Sequence, residues 1–114
     1  STSSAASDVY KRQEIADISV IEARNQVRQT IETSYNDALA ASKSFTASQK
    51  QVKALEESFR IIKSQYNLGS VNYTEYQISN NNLVRATNDL LISKYDYIFK
   101  LKVLDFYQGK KLTF

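Results

Sequence analysis

Asn67-Leu68-Gly69-Ser70-Val71-Asn72 decides the fold, because it is the one interior stretch of this 114-residue chain that asks the backbone to turn. The chain has no proline and two glycines, Gly69 and Gly109. Proline breaks helices most strongly and glycine next, so there are few other places to stop. Gly69 suits the left-handed position just beyond a helix end, where a β-carbon is costly. A restart follows at once. Asn72 is placed to cap a second helix, Glu75 stands three residues on as in a capping box, and Val71 is positioned to staple onto Tyr76. Two long helices joined by so short a link run antiparallel.

Upstream of the turn, Val27, Ile31, Tyr35, Ala38, Ser42, Phe45, Gln49 and Val52, then Leu55, Phe59, Ile62 and Tyr66, recur at steps of three and four. This predicts a helix over about 14–66 with a heptad-like seam and one three-residue slip between Val52 and Leu55. Glu, Lys, Gln, Ala and Arg fill the other positions, with Glu56 and Arg60 spaced as an i,i+4 ion pair. Such a rod is roughly 75 to 80 Å long.

Downstream, Tyr76, Asn80, Leu83, Thr87, Leu90, Lys94, Tyr97, Leu101 and Leu104 form the seam of a second helix over about 73–108. It ends near Gly109, with Lys110 and Lys111 close to its negative end. The fold class is therefore all-α, a long antiparallel two-helix coiled-coil hairpin with Leu83, Leu90, Tyr97, Leu101 and Leu104 as packing residues. A second stripe, Val84, Leu91 and Ile98, shares the helix. Toward its C-terminus Tyr95, Phe99, Val103, Phe106 and Tyr107 complete an apolar wrap that one partner helix cannot cover. That surface calls for lateral neighbours. The half nearer the turn is polar, with Gln77, Ser79, Asn80, Asn81, Asn82 and Asn88, and suits either a solvated face or a wet cavity.

Composition excludes several functions. The formal charge is +3, and basic residues alternate with acidic ones, as in Lys50, Lys53, Glu56, Glu57 and Arg60. Nucleic-acid binding needs clustered Lys and Arg on one face, so no nucleic-acid partner is expected. The absence of Cys, His, Met and Trp excludes thiolate and imidazole metal sites, Ser-His-Asp and Cys-His catalysis, and disulfides. Carboxylates remain as acid–base groups, and no spacing gathers two of them in an apolar pocket. Neither enzyme activity nor a cofactor is expected. No apolar run approaches the roughly 18 residues of a transmembrane helix.

Residues 3–13, SSAASDVYKRQ, spell the in-frame translation of a transposase sequencing adaptor. Residues 1–13 are therefore set aside as adaptor-derived, non-native or disordered, and the natural sequence is taken to begin near Glu14, inside a longer gene. The remaining chain carries 13 basic and 11 acidic residues, so the charge argument stands.

Tyr66-Asn67-Leu68-Gly69, Tyr73-Thr74-Glu75-Tyr76, Asn82-Leu83, Ala86, Leu90, Lys94-Tyr95-Asp96-Tyr97 and Leu104 through Gly109, in that order, resemble the C-terminal repeat of TolC-type outer-membrane efflux proteins. The likeness extends over nearly all of residues 14–114. It implies a fragment of a homotrimer in which long helices close into a periplasmic α-helical barrel, while outer-membrane β-barrel strands lie outside this chain. It implies a passive exit duct in a tripartite efflux or type I secretion system, located in the outer membrane of a diderm bacterium with this segment in the periplasm. The partners implied are a periplasmic adaptor (membrane fusion) protein and an inner-membrane RND, ABC or similar pump.

By the same likeness, Tyr66, Leu68, Gly69, Ser70 and Val71 form an adaptor-docking tip, although Gly69 also reads simply as a C-cap. Glu75 stands where the family usually has an aspartate facing the closing aperture. A ring of three such carboxylates favours cations and repels its own copies; its local alternative is the capping box. Gln65 and Gln77 depart from the family pattern, which usually has a basic and an apolar residue there. A soluble helical coiled-coil interaction module, such as a periplasmic adaptor hairpin, explains the heptads equally well. It does not explain the Tyr-x-x-Gly tip or the apolar far half of the second helix.

Overall fold

The structure, a computed structural model, describes residues 2–109. It consists of two helices, α1 (Thr2–Asn67) and α2 (Tyr73–Tyr107), packed against each other as an antiparallel hairpin. No strand occurs among the described residues. The molecule is a rod of 100 × 25 × 14 Å, and its long dimension is that of α1 alone, 66 residues at roughly 1.5 Å each.

Phe45 stacks on Tyr97 and Tyr66 on Tyr76, with ring centroids 6.0 and 4.9 Å apart. These two contacts fix the register. Stepping seven residues along each helix in opposite directions places Val52 level with Leu90, Phe59 with Leu83, and Ala38 with Leu104. Every one of these residues is buried or half-buried except Tyr66, at 36% exposure. Between these layers lie Ser34, Ala41, Ser48, Leu55 and Ile62 on α1, and Ser79, Ala86, Ser93 and Lys100 on α2, all buried or half-buried. Both helices thus keep an uninterrupted 3–4 spacing.

That result corrects the seam expected from sequence. The slip between Val52 and Leu55 does not occur, and Tyr35 and Gln49 on α1, with Thr87 and Lys94 on α2, face solvent. Their places are taken by the residue one position earlier in each case: Ser34, Ser48, Ala86 and Ser93. Small side chains let the helix backbones approach, so at these levels alanine or serine packs where a larger neighbour would hold the helices apart. Ala86 is 3% exposed and Ala41 4%, as buried as any residue described. Ser93 satisfies its hydroxyl by donating to the Leu90 carbonyl at 2.9 Å, which removes the cost of a polar atom in the seam. Lys100 reaches out of the seam to Asp96, 3.3 Å away.

Two further expectations change. The expected Glu56–Arg60 pair is replaced by Glu57–Arg60, an i,i+3 pair in which Arg60 donates twice to the carboxylate, at 2.6 and 3.1 Å. Helix α1 also begins at Thr2 rather than near Glu14 and so includes residues 2–13, the stretch set aside from the sequence as adaptor-derived, non-native or disordered. All residues from 2 to 29 are exposed, because α2 is too short to reach them. Helix α2 ends as expected, with Gln108 as its cap and Gly109 at φ 78°. Lys110 and Lys111 lie outside the described residues.

Candidate docking tip

The tip is built from local hydrogen bonds. Ser70 N–H donates to the Gln65 carbonyl at 2.8 Å and Gly69 N–H to the Tyr66 carbonyl at 3.0 Å, with Gly69 at φ 80°. This pair of bonds is the Schellman ending of a helix, and it satisfies two carbonyls that α1 would leave bare. Space around Gly69 is open, so its requirement is conformational rather than steric. Asn72 then starts α2: its side-chain oxygen accepts from the Glu75 N–H at 2.8 Å, and its carbonyl accepts from the Tyr76 N–H at 3.2 Å. The Asn72 cap forms as expected, but the Glu75 carboxylate does not return a bond to it.

Below the turn the two helices are joined by aromatic rings. Tyr76 of α2 lies against Phe59 and Tyr66 of α1, at 5.5 and 4.9 Å, and Tyr73 lies 6.2 Å from Tyr66. Gln77 donates a hydrogen bond to the Tyr73 hydroxyl, which gives the polar residue at that position a partner on its own helix. Such ring pairs contribute about 0.5–1.5 kcal/mol each beyond the area they bury. The end of the hairpin is therefore a fixed platform.

On that platform Leu68 projects into solvent at 80% exposure, the highest of any large apolar side chain described. Gly69 and Ser70 are exposed beside it, Tyr66 is more than half covered by its ring partners, and Val71 is half-buried. Val71 forms one wall of a shallow groove with Leu55, Ile62, Glu75, Ile78 and Asn82. The structure thus brings together Tyr66, Leu68, Gly69, Ser70, Val71 and Glu75 within one end of the rod. Glu75 is exposed and lines one side of this mixed polar and apolar groove.

Of the residues named for packing, Leu104 is buried and Leu83, Leu90 and Tyr97 are half-buried in the seam, while Leu101 is half-buried beside it. Sequence reading missed Ala41, Ala86, Ser48 and Ser93, whose signal is not hydrophobicity but a small residue every seventh position. The Arg60 guanidinium, by hydrogen bonding and by its charge, holds the Glu57 carboxyl below the usual carboxylate range, and Glu57 raises Arg60 in turn. Both groups are exposed, so the pair is a surface feature. No group of three His, Cys, Asp or Glu side chains among the described residues could hold a metal, and no described helix is long and apolar enough to cross a membrane.

Comparisons of the chain with protein-family models, with curated proteins and with solved structures find no match.

Proposed function

We propose that this chain is a periplasmic tunnel hairpin of a TolC-type exit duct, a wall element that guides cargo and performs no bond chemistry. The observation that carries the reading is the tip: a Tyr-x-x-Gly turn closed by a Schellman ending, with Leu68 exposed above an aromatic platform. A rigid end bearing one exposed apolar knob suits docking, since little conformational entropy is lost on binding. In this reading Tyr66, Leu68, Gly69, Ser70 and Val71 meet the hairpin of an adaptor protein, and Glu75 faces the aperture with its symmetry copies.

The apolar outer side of α2 supports the same reading. Leu91, Ile92, Tyr95 and Phe99 are each at least half exposed, more apolar surface than an isolated rod leaves to water without neighbours. The wall of a helical barrel supplies those neighbours on both sides.

The test is to recover the full-length gene. The duct reading expects an upstream repeat of the same kind, amphipathic strands flanking both hairpins, and a secretory signal. A gene encoding helices alone, without membrane strands, overturns the reading and makes the chain a soluble coiled-coil module.

A further inference from the structure

Helix α1 outruns its partner. All residues from 2 to 29 are exposed because α2 ends before reaching them, yet the pattern of the inner seam does not stop there. Stepping back by sevens from Ile31 and Ser34 continues it through Arg24 and Asp17, and through Val27 and Val20, the last two at 57% and 50% exposure. Along one edge of this stripe, again seven residues apart, stand Arg28, Ile21 and Glu14. The charges are ordered. Glu14 and Asp17 precede Val20 and Ile21, while Arg24 and Arg28 follow them. Each set places like charges three or four residues apart on its own helix, a mildly unfavourable arrangement when unanswered. None of the four makes an ion pair within the described chain.

We infer that residues 14–28 of α1 pair with the same residues of a second copy, antiparallel and end to end, so that each overhang continues the line of the other copy's α2. Inside the hairpin Phe45 meets Tyr97, and Ser48 and Ser93 follow in the same register, so equivalent seam positions face each other across antiparallel helices. Applied to two copies of α1, that rule sets Asp17 opposite Arg24 twice and Glu14 opposite Arg28 twice. Val20 and Ile21 each face their own copy near the two-fold axis. Both charge pairs thus share one centre, as an isologous contact requires. Sliding the pairing by one heptad in either direction brings Asp17 onto Asp17 or Arg24 onto Arg24, so charge fixes the register. Thr2–Ser7 of each copy then reach the end of the other copy's α2 and leave the seam; they hold no large apolar side chain.

From Tyr10 to Ile31, which lie level across the two copies, the paired stretch is about 32 Å long and buries on the order of 600 Å² in total, below the standard size of a stable interface. The dimer is therefore weak, sensitive to salt and closed at two copies. It uses a part of α1 to which the duct reading assigns no role.

Charge reversal tests the pairing. Asp17→Arg and Arg24→Asp chains are compared with the parent by sedimentation, first alone and then mixed. Alone, each variant sets like charges face to face and should associate at least several-fold more weakly than the parent. The equimolar mixture restores both pairs between unlike chains and should associate at least as well as the parent. The chain has no cysteine, so Val20→Cys, near the axis, should oxidise to a disulfide-linked dimer several-fold more readily than Ile18→Cys, which lies off the stripe. A parent chain monomeric at millimolar concentration, single variants that associate as the parent does, a mixture no stronger than its components, or equal dimer yields from the two cysteine variants each overturns the proposal. Association through the outer side of α2 responds to neither the charge variants nor position 20, so the two contacts are read separately.

Discussion

The two halves of α2 share one inner seam and differ outside in how much of the surface is apolar. From Tyr73 to Leu90 the outer surface carries Asn81, Asn82, Arg85 and Asn88 around the isolated apolar residues Ile78 and Val84; from Leu91 to Tyr107 it carries Leu91, Ile92, Tyr95, Ile98, Phe99 and Phe106. Inside, Tyr76, Leu83 and Leu90 in the first half, with Tyr97 and Leu104 in the second, keep the same seven-residue step. Holding the hairpin together and offering apolar surface outward are thus separate tasks. The tip half does mainly the first, while the far half does both. In the proposed duct, a rod anchored to its neighbours by the far half can move its tip without losing its own fold.

Seam truncations provide the largest effect. Leu104→Ala should cost about 3 kcal/mol and Leu83→Ala about 2 kcal/mol by chemical denaturation, the difference following their burial. A negligible cost at Leu83 would mean that the tip half is not held by the seam and would break the comparison. Outer substitutions come next and should separate the halves. Phe99→Gln should lower self-association several-fold while shifting hairpin stability by no more than about 0.5 kcal/mol; Asn81→Gln should change neither. Sedimentation at several concentrations reads both, and an equal response of the two variants would remove the distinction.

Tip substitutions are smaller again. Gly69→Ala forces a β-carbon into a left-handed conformation, and Asn72→Ala removes the cap acceptor, each costing about 1 kcal/mol in thermal melts. Neither should alter association, which confines their effect to the free end. The smallest effect is at Glu57. Its folded carboxyl lies below the ordinary value of 4.5, so any stability it adds is present above that pH and is lost as pH falls through the lower folded value. Glu57→Gln should leave the melting temperature at pH 7 nearly unchanged and flatten the dependence below about pH 4.5; a large loss at neutral pH would show that this exposed pair does more than its setting allows.

The turn was legible because everything that makes it is local: Gly69, Asn72 and the hydrogen bonds that close the turn lie within the twelve residues from Gln65 to Tyr76. The large seam residues Phe45, Val52, Phe59, Leu83, Leu90 and Tyr97 were legible as well, since hydrophobic spacing points to them directly. Ala41, Ser48, Ala86 and Ser93 were not, because packing chose the smaller neighbour over a larger candidate one position on. Choosing Glu57 over Glu56 likewise turned on side-chain reach rather than spacing. For the site, exposure of Leu68 follows from the turn geometry. What meets it is carried by no residue of this chain, so its docking role comes from family likeness alone.

The fixed register also orders the hairpin in time. Tyr66 and Tyr76 are ten residues apart in sequence, Phe45 and Tyr97 fifty-two, and Ala38 and Leu104 sixty-six. Loop closure costs more as the intervening chain lengthens, so the layer beside the turn forms first and the others follow outward, each shortening the loop the next must close. Substitutions at Tyr76 should then slow folding, and those at Leu104 should chiefly speed unfolding, a partition that stopped-flow rates resolve. The end of the rod proposed to meet a partner is also the end from which the rod is made.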